Sequence, residues 1–316
     1  GDVQLIEIPS EIIKEIEVIT GTFNAEYGNA MSGVVNTVTK DGRNGYGILL
    51  KSRHSSFSGS NSHIFSGLDV KNYFIENSNF QINLKGPIVK NALSCFIYYQ
   101  LIDHEGYLNG INRFKPTDYS DFNHSGIAPE NSPWNVNFED GIYYSEHSGN
   151  NSTIPMDWNK SQKVFVKISI HPFSKWRLNI SSNYENSQFQ NYEHIFKYKP
   201  TGRATNYAKS NLNSLKLSHL VNPRLSHVIT ISSLNSWSAK YLYENPLDNR
   251  YVTDRYYSYA GGFIAGGMDK THEEQWLKNN SLSWNLSSQI NYEHAIKLGF
   301  NFVQHKIENN PKNLVY

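Results

Sequence analysis

The residue types that most often carry out chemistry are present, but they are not arranged as a catalytic or metal-binding site. The twelve histidines are scattered, and with neither an HExxH motif nor paired cysteines the sequence offers no zinc site. The glycine-rich run GGFIAGG (residues 261–267) lacks the Lys-Ser/Thr pair of a phosphate-binding loop. Ser32, in the stretch AMSGV, lacks the second glycine of a nucleophile elbow. We therefore predict no enzyme activity, no metal and no bound cofactor.

Aromatic residues give a stronger signal, and that signal is for binding. They make up 14 % of the chain, and many fall in two long connections between predicted strands, residues 103–161 and 240–274. Exposed rings with a polar tip are suited to stacking on sugars or peptide side chains. The alternative is that the loops use the rings as their own small core, which is the favoured interpretation for any single ring. The predicted ligand-contact residues are Tyr119, Trp134, Tyr143, Tyr144, Trp158, Tyr241, Tyr243, Tyr256 and Tyr257.

Charge and cysteine content exclude further classes of protein. The formal net charge is +1, so no global field draws the chain to nucleic acid. The single cysteine, Cys95, cannot form an internal disulfide and is expected to be a small buried apolar residue. No apolar run approaches the roughly 20 residues of a membrane-spanning helix, so a helical membrane protein is excluded. A membrane β-barrel is not excluded, because its alternating strands give an ordinary mean hydropathy.

The elements that must position the loops are β-strands. Apolar and polar residues alternate in many segments, as in the run from Trp176, where Leu178 and Ile180 oppose Arg177 and Asn179. Such a period of two predicts a strand with one apolar and one polar face. About nine strands are predicted, at residues 46–54, 80–85, 93–102, 163–170, 175–187, 211–220, 225–237, 281–290 and 296–305.

The connections between these strands alternate strictly between short and long. Tight turns with Pro, Gly or Asn join one set of neighbours, and connections of about twenty residues or more join the other. All the short connections therefore lie at one end of the sheet and all the long connections at the other, which is typical of outer-membrane β-barrels. In that setting the apolar faces meet lipid and the polar faces line the lumen, where we expect Lys163, Lys167, Arg177 and Glu185 to contact water or an inner domain.

The opening of the chain is different. The stretch IPSEIIKEIEVITG (residues 8–21) predicts a short helical turn followed by a strand, and EYGNAMSGVVNTVTKDG (residues 26–42) predicts a glycine turn and a second strand. Together these motifs resemble the end of the plug domain of TonB-dependent outer-membrane receptors. The spacing GNAMSGVVN and the run GPIVKNALSCFIYY (residues 86–99) look like the branch with an N-terminal carboxypeptidase-regulatory-like domain. The plug-motif residues, with expected structural or gating roles, are Tyr27, Gly28, Gly33, Asn36, Thr39 and Lys40.

The resemblance implies an all-β membrane fold and a division of the chain. Residues 1–42 would be the C-terminal part of an α+β plug, and residues 43–316 the first part of an antiparallel up-and-down transmembrane β-barrel. Such receptors have 22 strands, so about nine strands imply an internal fragment that lacks the signal peptide, the TonB box and the first part of the plug. Glycines 28 and 33 are expected where close backbone approach leaves no room for a Cβ.

The function implied by the resemblance is energy-coupled uptake across the outer membrane of a Gram-negative bacterium. The long loops and plug would bind an extracellular glycan, peptide or iron chelate, with the plug spacing favouring the first two. The expected partners are outer-membrane lipid, that ligand, and the inner-membrane TonB complex, reached through the missing N-terminal part. Two alternatives stay open: a passive porin or structural barrel, and a soluble aromatic-rich carbohydrate-binding β-protein.

Overall fold

The chain is described here by a computed structural model, which covers residues 8–20, 33–43, 45–59, 61, 64–68, 77–121, 135–138, 141–260 and 262–314. The secondary structure of these residues is almost entirely β, with four 3-10 helices at Ser10–Ile12, His194–Phe196, Pro200–Gly202 and Asp254–Tyr256. The strands are β1 (Ile13–Thr20), β2 (Gly33–Thr39), β3 (Gly47–Ser55), β4 (Asn77–Val89), β5 (Leu93–Glu105), β6 (Asn109–Ile111), β7 (Ser120–Asp121), β8 (Asn135–Phe138), β9 (Gly141–Ser145), β10 (Thr153–Pro155), β11 (Trp158–Ile170), β12 (Trp176–Gln190), β13 (Thr205–Asn222), β14 (Leu225–Tyr241), β15 (Ser258–Ala260), β16 (Phe263–Gly266), β17 (Thr271–Gln289) and β18 (Ala295–Asn313). Within the described residues, no helix is long and apolar enough to cross a membrane.

Nine long strands form one antiparallel sheet in the order β3-β4-β5-β11-β12-β13-β14-β17-β18. They are the nine predicted from the sequence, so this part of the fold prediction is confirmed. Most are longer than predicted, up to 19 residues in β17 and β18. The stretch His272-Glu273-Glu274, which the sequence predicts to be the end of a loop, lies inside β17. Residues 271–275 are polar on both faces, so the alternation that reveals a strand is absent there.

The strict alternation of short and long connections is also confirmed. Three residues join β4 to β5, five join β11 to β12, two join β13 to β14, and five join β17 to β18, all at one end of the sheet. In the first of these turns Asn91 has φ 62°, a left-handed conformation that asparagine tolerates better than most residues. The long connections, residues 56–76, 106–157, 191–204 and 242–270, all leave from the opposite end, which we name the long-loop end.

The N-terminal hairpin, defined as residues 8–20 and 33–43, packs against one face of the sheet. Its strands β1 and β2 pair antiparallel with Val18 opposite Val35. Ile12 is 1 % exposed and packs into a cluster with Phe96, Tyr98 and Phe165 of the sheet. We name the contacted side the hairpin face and the opposite side the outer face. This packing explains why β5 carries apolar residues on both faces. The rings of Phe96 and Tyr98 contact the hairpin on one face, while Cys95 and Ile97 lie on the other face.

The outer face carries rows of apolar side chains that no other part of the described chain covers. Cross-strand neighbours such as Ile168 and Ile180, or Trp284 and Phe300, meet on this face. Phe300 is 55 % exposed. Half-exposed apolar residues over so wide a surface mark a site of interaction with a membrane or with another protein surface. Cys95 lies in one of these rows opposite Ile168 and is half-buried, so the expectation of a buried cysteine is wrong.

The apolar band crosses the strands diagonally. A row is a line of directly paired residues across the sheet. The row of Val164, an apolar residue of β11, contains the polar Lys278 on β17. The row of Trp284, an apolar residue of β17, contains Ile170, the last residue of β11. The band therefore moves towards the short-turn end from β11 to β18. Strands that tilt relative to a membrane-parallel band are what barrel geometry requires.

Candidate functional site

A cavity of ≈ 510 Å³ lies between the N-terminal hairpin and the hairpin face of the sheet. Pro9, Ser10 and Glu11 form one side. The other side is formed by residues of β5, β11 and β12 with the adjoining loop positions: Gln100, Ile102, His104, Asp157, Trp158, Asn159, Ser161, Lys163, Glu185, Ser187, Phe189 and Asn191. Because these strands end in the long loops near His104, Trp158 and Asn191, the cavity is continuous with the long-loop end.

The cavity wall is polar, and its buried charges are paired. Lys163 Nζ lies 3.3 Å from Glu185 Oε1, and both side chains are largely buried. Ser161 and Ser187 are directly paired and line the cavity, and their buried hydroxyls have no hydrogen-bond partner among the described residues. Buried hydroxyl groups in a space of this size are suited to water or to a polar solute. The cavity can therefore accept polar, uncharged groups.

Polar contacts join the hairpin to the sheet around the cavity. Lys167 Nζ donates to Thr39 at both the backbone oxygen and Oγ1, each at 3.0 Å. Lys51 Nζ lies 3.6 Å from Glu11 Oε1. The positions predicted to face the lumen, Lys163, Lys167 and Glu185, thus lie on the hairpin face. Arg177, also predicted there, donates from Nε to His171 Nε2 at 3.0 Å, at the short-turn end.

Lys40 and Glu11 organise the hairpin side of this contact. Lys40 Nζ donates to the backbone oxygen of Glu11 at 2.7 Å, and its backbone N–H donates to Ile12 O at 2.7 Å. Burial raises the pKa of Glu11, but hydrogen bonds from its own backbone N–H, from Ser10 and from Lys51 outweigh it, so that the pKa lies below its usual value. The carboxylate is therefore kept charged opposite Lys51.

The other residues of the predicted plug motif have different surroundings. Asn36 donates to Glu17 Oε2 at 3.3 Å across the hairpin and is exposed. A Cβ on Gly33 would meet Ile19 O at 3.5 Å, which is ordinary contact, so the described neighbours do not create the crowding expected there. Tyr27 and Gly28 lie outside the described residues.

Gly42, at the end of the hairpin, is tightly crowded, and the sequence motifs did not single it out. A Cβ at this position would collide with the backbone oxygen of Cys95 and would lie 2.9 Å from the backbone nitrogen of Gly86. The backbone that leaves the hairpin therefore runs directly against β4 and β5. Only glycine allows such an approach. In the sequence, the one indication of this role was the position of Gly42 between the second predicted hairpin strand and the first long strand.

The long loops pack on one another to form a layer over the end of the sheet, which we name the loop cap (residues 106–121, 145–157, 191–204, 242–260 and 262–270). Met156, Phe196 and Ile264, from three different loops, form a buried cluster. Backbone hydrogen bonds join the loops, for example from Gly267 N to Pro116 O at 2.9 Å. The cap is a packed unit with its own core.

Two buried cations lie within the loop cap. Lys199 is fully buried and donates from Nζ to the backbone oxygen of Gly267. Burial lowers the pKa of Lys199 to about 7, with Asp269 opposing the shift. Arg203 is 2 % exposed and donates to Met156 O at 2.9 Å and to Asn191 O. Burial lowers its pKa as well, against the opposing charge of Glu193.

The predicted ligand-contact aromatics divide into two groups. Tyr241 is buried and stacks on Tyr207 with ring centroids 4.5 Å apart, and Tyr243 packs edge-on against Tyr251 at 5.0 Å. These rings pack within the structure, at the end of β14 and in the loop cap, as the alternative interpretation holds. Half-buried Trp158 donates to Gln190 Oε1 at 3.0 Å.

Other rings remain open to solvent. Tyr119 is 41 % and Tyr257 53 % exposed, and the neighbouring Tyr259 is 57 % exposed. Tyr256 is half-buried beside Arg255, whose NH2 donates to its hydroxyl at 2.6 Å. The remaining candidates, Trp134 and the side chains of Tyr143 and Tyr144, lie outside the described residues. The structure therefore leaves a smaller set of tyrosines available for binding than the sequence predicted.

Comparisons with known proteins bear on the fold. No family model matches the chain, and no curated protein matches it. Among solved structures, the outer membrane transporter YddB from Escherichia coli is similar with a TM-score of 0.56 and 10 % identity, over 95 % of this chain and 35 % of that one. The unliganded ferric citrate transporter FecA aligns with a TM-score of 0.39 and 14 % identity, over 94 % of this chain and 43 % of that one. The chain thus spans about a third of the length of the YddB structure, and its nine-stranded sheet has the fold of part of an outer-membrane transporter β-barrel.

Proposed function

We propose that this chain is part of a TonB-dependent outer-membrane receptor that takes up an extracellular ligand by energy-coupled transport. In this proposal residues 1–42 are the end of the plug and residues 43–316 are the first part of the barrel, in the outer membrane of a Gram-negative bacterium. The outer face meets lipid, the hairpin face lines the lumen, and the long-loop end is extracellular. The inner-membrane TonB complex supplies the energy by acting on the plug. No step requires covalent chemistry.

The observation that carries this proposal is the polar cavity between the hairpin and the sheet. A passive barrel needs an open lumen, whereas here the hairpin packs against β5 and β11 on the hairpin face and borders a cavity beside Pro9, Ser10 and Glu11. A ligand entering from the long-loop end would meet this space next. Movement of the hairpin is then the natural means of enlarging it.

The contacts between hairpin and sheet are compatible with such movement. One small apolar cluster around Ile12 and a few polar contacts, chiefly from Lys167 and Lys51, hold the two together. Hydrogen bonds that involve a charged group contribute about 1.5–3 kcal/mol each. A pull on the plug can therefore break these contacts one after another while the ladder of the sheet, which has far more hydrogen bonds, stays intact.

The ligand class that fits best is a glycan or a peptide. Tyr119 and Tyr257 are exposed in the loop cap, and such rings stack on sugar faces and on peptide side chains. Ser161 and Ser187 also line the cavity, and their buried hydroxyls have no partner among the described residues. Enlargement of the cavity by movement of the hairpin would let them bond hydroxyl or amide groups of the same ligands. An iron chelate remains the alternative substrate.

A crosslinking experiment tests whether uptake needs the hairpin to move. In a Cys95→Ser background, Ile12→Cys and Phe96→Cys place one thiol on the hairpin and one on the sheet within the same packed cluster. Joining them with a short bifunctional thiol reagent should abolish uptake of labelled oligosaccharides and peptides by cells while leaving their surface binding intact. The matched control joins Val18→Cys to Val35→Cys, which are paired within the hairpin.

The control crosslink should leave uptake unchanged, because it does not tie the hairpin to the sheet. Full uptake through a chain whose hairpin is fixed to β5 would contradict the proposal and would favour a passive barrel. Loss of uptake with both crosslinks would show that the reagent itself inactivates the protein, and the hairpin would then have no demonstrated role.

A further inference from the structure

A basic and aromatic groove lies on the outer face near the long-loop end. It has a volume of ≈ 350 Å³, and its lining includes Tyr184, Lys209, Trp237, Trp276, Lys278 and Lys306. By the strand registers, Lys278 and Lys306 are directly opposed in one row, and Lys209, Trp237 and Trp276 follow in the next row towards the long loops. The groove therefore runs across five neighbouring strands, from β12 to β18.

The position of the groove relative to the apolar band is specific. On β17 the band contains Leu282 and Trp284, and Lys278 lies four residues beyond Leu282 on the same face. Since two residues of a strand span about 7 Å, this separation is about 14 Å along the strand. The lysines thus lie just beyond the apolar surface on its long-loop side, which is the level of lipid headgroups when the band is in a membrane.

The charges in the groove are unbalanced. Lys306 Nζ lies 2.5 Å from Glu308 Oε1. Among the residues that the structure describes, no carboxylate lies within ion-pair distance of Lys209 or Lys278. Like charges directly opposite each other on neighbouring strands destabilise a sheet, and Glu308 balances only one of the two charges in the Lys278–Lys306 pair.

The aromatic side chains complete a site for an amphiphile. Lys209 Nζ lies 5.2 Å from the ring centroid of Trp237, and Trp276 is 37 % exposed beside it. Indole rings favour the boundary between the apolar and polar parts of a membrane. A molecule that combines a multiply charged anionic head with acyl chains would place the head between the lysines and the chains along the apolar rows below.

We propose that this groove binds the phosphorylated headgroup of a membrane amphiphile in the leaflet at the long-loop end of the sheet. The proposal rests on the proposed membrane location. Phosphate is the anion of choice because it carries enough charge to serve three lysines and offers several acceptor oxygens. Near an anionic lipid surface each lysine contributes about fivefold to binding, so three contribute roughly 100-fold.

Native mass spectrometry of the full chain in detergent micelles tests this site. The probes are bis-phosphorylated lipid A and the same amphiphile with its phosphates removed. The triple variant Lys209→Gln, Lys278→Gln, Lys306→Gln should lose roughly 100-fold in affinity for the phosphorylated probe. The matched control removes three lysines from the hairpin face, at Lys216, Lys240 and Lys297, and should retain the affinity of the original chain.

Several outcomes would overturn the proposal. These are unchanged binding by the outer-face variant, equal binding of the dephosphorylated probe, or displacement of the lipid by millimolar inorganic phosphate, which would indicate a simple anion site. Fractionation of cells into membrane and aqueous fractions tests the membrane location separately. If the chain is found in the aqueous fraction, the proposed location fails, while the micelle experiment still decides whether the lysines bind the phosphorylated amphiphile.

Discussion

The buried amine of Lys199 predicts that the stability of the loop cap depends on pH. Burial lowers the pKa of Lys199 from 10.5 to about 7, whereas in an opened cap the amine regains its ordinary value. Between these two values the open state binds more protons than the closed state, so the closed cap becomes more stable as pH rises. Below about pH 7 the amine is protonated in both states and the dependence ends.

The magnitude follows from the two pKa values. Between pH 6 and pH 9 the closed state gains RT ln[(1 + 10²)/(1 + 10⁻¹)], which is about 2.7 kcal/mol or a change of roughly 90-fold in the opening equilibrium. Replacement by methionine removes the titrating group but keeps a long apolar stem. In Lys199→Met the opening free energy should therefore be flat over this range.

Hydrogen exchange of cap amides, read by mass spectrometry and corrected for the intrinsic pH dependence of exchange, measures this equilibrium. The backbone N–H groups of Gly202 and Gly267 bond within the cap and are suitable reporters. The matched control is Lys197→Met, which removes a half-buried lysine two residues away and should keep the pH dependence. The reasoning is refuted if the original chain shows no pH dependence, or if Lys199→Met retains it.

Three further predictions concern the hairpin and the rings. Gly42→Val should displace the hairpin, because its side chain would collide with the Cys95 carbonyl; crosslinking of hairpin to β5 should fall, and an unchanged yield would contradict this account. Phe165→Ala should lower the unfolding free energy by about 3–5 kcal/mol, as measured in urea, since the ring is 4 % exposed beside Ile12; a loss below about 1 kcal/mol would show that the cluster is not packed. Tyr257→Ser should weaken ligand binding without changing the melting temperature, whereas Tyr241→Ser should lower the melting temperature; the reverse pattern would exchange their roles.

The sequence predicted the strands because each has one apolar and one polar face. The alternation of apolar and polar residues around Trp176 and Leu178 arises because the two faces of the strand have different surroundings. It can be recognised without knowing which strands are its neighbours. The same principle explains the failure at His272, where both faces of β17 are polar near the loops. His272 is fully buried and its Nε2 lies 3.0 Å from Glu244 O, a contact with a loop that periodicity cannot reveal.

The candidate site was less predictable. Lys163, Lys167 and Glu185 could be placed on the polar face, but the contact of Lys167 with Thr39 depends on where the hairpin lies against the sheet. Gly42 is crowded by residues more than forty positions away, and no local pattern encodes that approach. The ring of Tyr241 could not be told from that of Tyr257 by sequence, because contacts with side chains distant in the chain, Tyr207 and His272, bury Tyr241.

The account depends most on the claim that the outer face meets lipid while the hairpin face lines a lumen. Nitroxide labels placed one at a time at Leu178, Asn179, Ile180 and Ser181 of β12, in membranes isolated from cells, test this directly. Leu178 and Ile180 lie in the outer-face rows, and Asn179 and Ser181 lie on the hairpin face. We predict that molecular oxygen relaxes the labels at positions 178 and 180 preferentially, and that a water-soluble nickel chelate favours positions 179 and 181. Equal access of the nickel chelate to all four positions would contradict the account.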